Sequence, residues 1–376
     1  GLGAALLSPA ALSLVTTMFT EGAERNTALG VWGAVAGSGG AAGVLLGGIL
    51  TDGLGWEWVL WVNVPVSLLA LFLSPRLIAE TRAEAERRVF DVAGAVTITA
   101  ALSILVYALV DATDAGWGST QTVGLLALSA VLLTSFVVIE LRTPKPLVPF
   151  SIFRIRTLTG ANVVGLLIGA SLFSMFFFIS LYMQQVLEYS AIKAGLSYLP
   201  LALLIMASAG IASQLVTKLG YKPVLAIGLA FIVIGLAWFS RVSVGGGFLT
   251  DILGPSLFAA AGLGFAFVTT TIAAVSGVEE SEAGLASGLI NTSQQVGGAL
   301  GLAVLSTIAT SRTDDLTAVG AMPSGSALTE GFQAAFLGGA GIALLGLVLT
   351  LVLIRGADSR AHVALGKKPA SESASA

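Results

Sequence analysis

The sequence predicts an all-α, polytopic membrane protein, and three observations support this fold class. Of its 376 residues, 56% are hydrophobic and only 10% are charged, whereas soluble domains carry about 25% charged residues. Long apolar runs rich in Leu, Ala and Gly recur along the chain. Lys and Arg concentrate in alternate connections between these runs. A membrane β-barrel would instead have segments of about ten residues with alternating polarity.

Eleven runs are long enough to cross a bilayer as helices. A span needs about 20 mainly apolar residues, because its backbone polar groups must all be satisfied within the helix. The predicted spans are residues 1–19, 27–50, 58–76, 91–111, 121–140, 159–187, 194–216, 223–240, 249–276, 283–309 and 331–354. The polar tail at 356–376 has too little apolar surface to fold, so it is predicted to be disordered.

The basic residues predict which side of the membrane each connection faces, because Lys and Arg near span ends concentrate on the cytoplasmic side. Of the 18 basic residues, all but Lys193, Arg241 and Arg312 fall in alternate connections. Those in the basic connections are Arg25, Arg76, Arg82, Arg87, Arg88, Arg142, Lys145, Arg154, Arg156, Lys218, Lys222, Arg355, Arg360, Lys367 and Lys368. The acidic connection at 278–282 is placed inside by alternation alone. The C-terminus is therefore predicted to be cytoplasmic.

Several kinds of chemistry are excluded by composition. The chain has no cysteine, and its single histidine, His362, lies in the polar tail. Disulfides, thiolate chemistry, Cys/His metal sites and Ser-His-Asp catalysis are therefore not expected. The net charge of -3 and the scattered basic residues also argue against a nucleic-acid partner. No cofactor is expected.

The second span carries a dense glycine pattern. Gly39, Gly43 and Gly47 recur every fourth residue, and Gly37 and Gly48 accompany them. Such a row allows a partner helix to approach backbone to backbone. Simple helix packing is one explanation. The density of glycine favours another, an interface that is both tight and mobile, because small residues do not interlock.

With these features the sequence resembles the fourteen-span drug/proton antiporters of the major facilitator superfamily. The glycine-rich span and the segment from Thr51 to Pro65 are similar to spans five and six of that family. Gly43-Val44 stands where the family's antiporter motif usually has Gly-Pro. Further similarity follows in family order, at residues 147–154, 182–185, 194–200 and 283–292.

The resemblance implies that the chain holds spans four to fourteen of fourteen, without the acidic residue of span one. It divides the chain into the second half of an N-terminal bundle (1–80), a cytoplasmic linker with two inserted helices (81–150), a C-terminal six-helix bundle (151–355) and the tail (356–376). It further implies export of amphipathic drugs or metabolites in exchange for protons, by alternating access. The expected location is the inner (cytoplasmic) membrane, and a monomer is favoured.

The same resemblance places the span at 159–187 beside a central cavity, while the span at 283–309 is a second candidate from its own residues. The first carries aromatic rings with amides near one end, and such rings bind flat apolar molecules and cations without demanding one shape. The second carries a stripe of small and polar residues, and amides within a membrane face protein or a cavity. The candidate substrate-binding residues are Phe173, Phe177, Tyr182, Gln184, Asn291 and Gln294. The rings could instead face lipid or core, and the amides could bond between helices.

Other function classes remain open at this point. One is a facilitator-type transporter of another solute without proton coupling. A second is a non-transporting helical scaffold or receptor, against which the 46 glycines argue because they are unusual in a rigid scaffold. A third is a membrane-embedded enzyme, for which the spans offer no converging carboxylates, histidines or metal site.

Overall fold

All eleven predicted spans are helical in the computed structural model, which describes residues 2–19, 22–78, 91–279, 282–318 and 324–365. The described residues form fourteen α-helices and no strand. In chain order these are α1 (Leu2–Met18), α2 (Ala23–Gly53), α3 (Trp58–Trp61), α4 (Asn63–Leu77), α5 (Val92–Ala115), α6 (Thr120–Arg142), α7 (Arg156–Leu181), α8 (Ala191–Ser197), α9 (Leu199–Leu219), α10 (Tyr221–Phe239), α11 (Leu253–Val275), α12 (Ala283–Ala318), α13 (Ser324–Leu353) and α14 (Gly356–Leu365).

Eight helical segments are long and apolar enough to cross a membrane by length and composition. The other three predicted spans correspond to α1, α2 and α12. Helix α1 has 17 residues, while α2 and α12 contain many Gly, Ser, Asn and Gln residues that lower their hydropathy. All three of these helices contribute residues to the central cavities described below.

Two predicted spans are interrupted, and proline explains the position of the break. The span at 58–76 consists of α3 and α4, with Pro65 in the first turn of α4. The span at 194–216 consists of α8 and α9, with Pro200 in the first turn of α9. Proline lacks an N–H group to bond the preceding turn, so the first turn of a helix is its most favourable position, although Pro75 also lies inside α4 near its end. Pro255 likewise lies in the first turn of α11.

The core lies among the helices that follow residue 155. Helix α7 packs against α11, α12 and α13, and α10 packs against α11 and α13. Helix α2 runs along α8 and α9, and α1 lies on α12. Helices α5 and α6 form a pair, and α5 also contacts α12. In contrast, α4 has no buried residue.

The crossing of α7 and α12 depends on glycine at several points. A Cβ added to Gly169 or Gly297 would collide with a backbone carbonyl of the opposite helix, and one added to Gly301 would lie 2.5 Å from the Cα of Ala170. Small residues let membrane helices approach this closely because no side chain separates the backbones.

The predicted disorder of the tail is wrong for residues 356–365, which form α14. The reason is a specific docking contact that composition does not reveal. Ser359 is buried, and its hydroxyl accepts a hydrogen bond of 3.2 Å from the backbone N–H of Lys222. Gly220 makes this approach possible, since its φ is +84° and a Cβ there would collide with Ser359. Residues 366–376, and residues 79–90 of the predicted linker, lie outside the described residues.

Candidate functional site

Two adjoining cavities lie between the helices that precede residue 54 and those that follow residue 155. The larger, of about 790 Å³, is lined by α1, α2, α5, α7, α11 and α12. The smaller, of about 410 Å³, is lined by α2, α7, α9, α11 and the residue before α9. They share four lining residues, which are Ala36, Leu172, Phe173 and Phe267. These four residues, two of them aromatic, form a partition between the two spaces.

Phe173 is the central side chain of this partition. It is 42% exposed although it lies within the helix bundle, because it borders both cavities. Its ring lies against Gly298 of α12, where any Cβ would collide with it. Phe176 and Tyr198 continue the aromatic wall into the smaller cavity, with their ring centroids 5.6 Å apart. The Tyr198 hydroxyl is satisfied by the Phe176 carbonyl at 2.9 Å.

Helix α12 supplies all three amide side chains in the described lining of the larger cavity. Asn291 donates a hydrogen bond from Nδ2 to the Ser8 hydroxyl of α1. Gln294 also lines the cavity, and its Nε2 atom is buried without a hydrogen-bond partner. Gln295 adds the third amide and Thr292 a hydroxyl, while further hydroxyls come from α1, α5 and α11. The described lining of both cavities contains no Lys, Arg, His, Asp or Glu.

Of the six predicted substrate-binding residues, the structure brings three to the cavities: Phe173, Asn291 and Gln294. Tyr182 is 1% exposed, and its hydroxyl donates to the Ser243 carbonyl at 2.7 Å. Phe177 is exposed and lies outside both cavities. Its ring and that of Phe178 form an edge-to-face pair with their centroids 5.3 Å apart. Gln184 is exposed in a π-helical turn, Tyr182–Val186, after α7. These three residues line neither cavity, because their side chains lie against other parts of the protein or on its exposed surface.

The glycine row of α2 also differs from the expected arrangement. A Cβ on Gly39, Gly43 or Gly47 would have no atom within 4 Å among the described residues. Gly48 is in close contact, since a Cβ there would lie 2.7 Å from the Ala191 carbonyl of α8. The surroundings of Gly37 lie outside what the structure describes.

A different row of α2 makes the close contacts. A Cβ on Gly30 would lie 2.6 Å from the Ser213 side chain of α9, and one on Gly33 would collide with Val268 of α11. At 100° per residue, Gly30, Gly33 and Gly48 share a face that is turned away from Gly39 and Gly43.

Several cavity residues were not among the sequence candidates. Trp32, Phe267 and Ser8 line the larger cavity, while Phe176 and Tyr198 line the smaller one. Phe176 belongs to the aromatic cluster that the sequence does reveal. The sequence carries no comparable signal for the others, so only the packing identifies them.

No metal-ligand cluster is present in the part of the chain that the structure describes. No three side chains of His, Cys, Asp or Glu there lie close enough together to hold a metal ion. What the cavities offer is a mainly apolar, partly aromatic lining with a few hydroxyl and amide groups. Such a lining binds small organic molecules by area burial, and a few polar groups fix their orientation.

The chain matches the Major Facilitator Superfamily over residues 1–302. It belongs to this superfamily. The chain is therefore a membrane transporter of the superfamily and not an enzyme, and its polytopic helical fold is the one expected of such a transporter.

Curated relatives in the superfamily are named for resistance and export. The chain is 37% identical over 372 residues to the puromycin resistance protein pur8 of Streptomyces alboniger, covering 97% of this chain and 73% of that protein. It is 38% identical over 356 residues to the cephamycin export protein CmcT of Amycolatopsis lactamdurans, covering 94% of this chain and 72% of that protein. It is 35% identical over 319 residues to the tetracenomycin C resistance and export protein of Streptomyces glaucescens, covering 84% of this chain and 58% of that protein.

Proposed function

We propose that this transporter exports amphipathic drugs or antibiotic-like metabolites, in exchange for protons, by alternating access. The observation that carries the proposal is the pair of cavities meeting at Phe173 between α2 and α7. The names of the relatives support the direction and the substrate class, since they are resistance and export proteins for puromycin, cephamycin and tetracenomycin C.

The substrate-binding residues that we propose are Phe173, Asn291 and Gln294. The Phe173 ring can cover a flat apolar surface from either cavity, and aromatic burial does not demand one substrate shape. The two amides can pair with substrate hydroxyl or carbonyl groups, because each carries both donors and an acceptor. The lining without charges suits molecules whose apolar part is large and whose polar groups are few.

Alternating access requires the two sides of the cavities to separate at one end at a time. Helix α2 is joined to the later helices near both ends. Near its start, Asn26 donates to the Thr217 hydroxyl of α9 at 3.0 Å. At its end, Asp52 accepts from the backbone N–H of Ile192 at 3.3 Å. Breaking one bond while keeping the other would open the cavities toward one side only.

The division into moving parts follows the family likeness. In this proposal residues 1–80 belong to one bundle and residues 151–355 to the other, with 81–150 as a linker and an inserted helix pair. The C-terminus is cytoplasmic, the membrane is the cell's inner membrane and the protein works as a monomer. Coupling to protons also comes from the family likeness, since the described cavity lining holds no carboxyl group.

Dye extrusion tests this proposal. Cells that make the full-length protein should extrude a fluorescent amphipathic dye faster than cells with an empty vector. Collapse of the proton gradient should lower their extrusion rate to that of the empty-vector cells. Dye retention equal to the empty-vector control across a broad compound panel would refute drug export. Extrusion that persists without a proton gradient would favour the second candidate, a facilitator without proton coupling.

A further inference from the structure

Two carboxyl groups meet at one end of the α5–α6 pair, outside both cavities. Asp91 is the N-cap of α5, and its Oδ1 accepts a hydrogen bond of 2.8 Å from the backbone N–H of Gly94. Glu140 lies in the last turn of α6, and its Oε2 accepts from the backbone N–H of Val148 at 2.9 Å. Each acid therefore uses one oxygen to hold a different backbone segment.

The second oxygens of the two acids face each other. Asp91 Oδ2 and Glu140 Oε1 are both buried, and neither has a donor. Both lie beside the Cα of Gly94, where a Cβ would come too close to each of them. The two oxygens are therefore close neighbours, although neither accepts a hydrogen bond from any backbone or side-chain donor. Ionised carboxylates have only acceptor oxygens, so a hydrogen bond between them requires a proton.

Among the residues that the structure describes, no cation forms an ion pair with either acid. Glu140 is only 3% exposed. Arg142 and Lys145, the nearest described basic residues along the chain, are exposed and pair with neither acid. Helix α12, which packs along α5, has no charged residue between 283 and 311. Two unpaired negative charges buried together would be strongly unfavourable.

We propose that Asp91 and Glu140 bind one proton between them, as a carboxylic acid that donates to a carboxylate. The pair then carries a single negative charge. It joins the start of α5, the end of α6 and the Val148 segment that leads into α7. Since α5 and α7 both line the larger cavity, this proton-bound pair fixes the relative position of two cavity walls.

Infrared spectroscopy of the purified full-length protein tests the bound proton directly. The wild type should have a protonated-carboxyl carbonyl band at neutral pH that disappears at high pH. Both Glu140→Gln and Asp91→Asn should lack this band, because an amide then supplies the donor and the remaining acid ionises. Glu330→Gln, which changes an exposed acid paired with Arg312, should keep it. A spectrum unchanged in both Glu140→Gln and Asp91→Asn would overturn the proposal.

Thermal unfolding gives a second, independent test. A proton bound in the folded state stabilises it less as the pH rises, because the unfolded chain does not hold that proton. The Tm of the wild type should therefore fall relative to that of Glu140→Gln as the pH rises above about 4.3, the ordinary pKa of a free Glu side chain. Glu140→Ala should lower the Tm at every pH, because the Val148 N–H loses its acceptor. Parallel pH profiles for the wild type and Glu140→Gln would contradict the shared proton. Neither test depends on substrate or export.

Discussion

The ring of Phe173 on α7 rests against Gly298 on α12, at the point where the two cavities meet. The absence of a side chain at position 298 makes room for the ring to lie between the cavities instead of being pushed into one of them. One close helix contact thereby sets the position of the residue that we expect to touch substrate in both spaces.

Replacement of Phe173 by Ala should weaken export of an aromatic dye. The loss of one aromatic contact costs about 1 kcal/mol or slightly more, or about tenfold in affinity. Phe177→Ala is the matched control, since Phe177 lies one turn further along α7, is similarly exposed and lines neither cavity. Dye extrusion at limiting dye concentration measures the difference, with membrane protein levels compared by immunoblot. An equal loss of dye extrusion in Phe173→Ala and Phe177→Ala would mean that the cavities are not the binding site.

Replacement of Gly297 by Ala should destabilise the protein. The new methyl group would collide with the Leu166 carbonyl of α7, and overpacking of this kind costs on the order of 1–3 kcal/mol. Gly288→Ala is the control in the same helix, because a Cβ there has no atom within 4 Å, and Ala favours a helix over Gly. The Tm in detergent should fall by several degrees for Gly297→Ala only. A Tm of Gly297→Ala equal to that of the wild type would show that α7 and α12 are further apart than in this structure.

Two substitutions by a larger residue can distinguish the roles of the glycines in α2. Gly48→Leu should lower the Tm, because its side chain would push α2 away from the Ala191 carbonyl. Gly43→Leu should leave the Tm near that of the wild type, since its position is open. Dye export measured beside the Tm tests the predicted mobile interface, which requires Gly43→Leu to reduce export without loss of stability. Normal export by Gly43→Leu would remove that role from the Gly39, Gly43 and Gly47 row.

Cysteine labelling tests the predicted orientation, and the chain has no native cysteine to remove. A membrane-impermeant maleimide should label Gly118→Cys in intact cells. It should label Ser151→Cys and Ala361→Cys only after the membrane is permeabilised, because their connections are rich in Lys and Arg. All three positions are exposed. Labelling of Ser151→Cys in intact cells would reverse the proposed topology.

The sequence predicts the helices well because lipid imposes long apolar runs on any chain that crosses it. It also identifies α7 and α12 as helices that line the cavities. It does not separate Phe173 from Phe177, because the two lie within about 40° of each other around an ideal helix. Which ring faces a cavity depends on how α2, α11 and α12 pack against α7. The same limit explains why the sequence does not single out Trp32 and Phe267, and why it does not show that Tyr182 lies outside both cavities.

Substrate protection at position 36 tests whether substrate binds between these helices, since Ala36 lines both cavities. The measurement is the rate at which a small maleimide labels Ala36→Cys in purified full-length protein, with and without a transported dye, beside Gly118→Cys as the control. Dye should slow labelling at position 36 several-fold and leave labelling at position 118 unchanged. Labelling at position 36 that is unaffected by saturating dye would contradict a binding site between these helices.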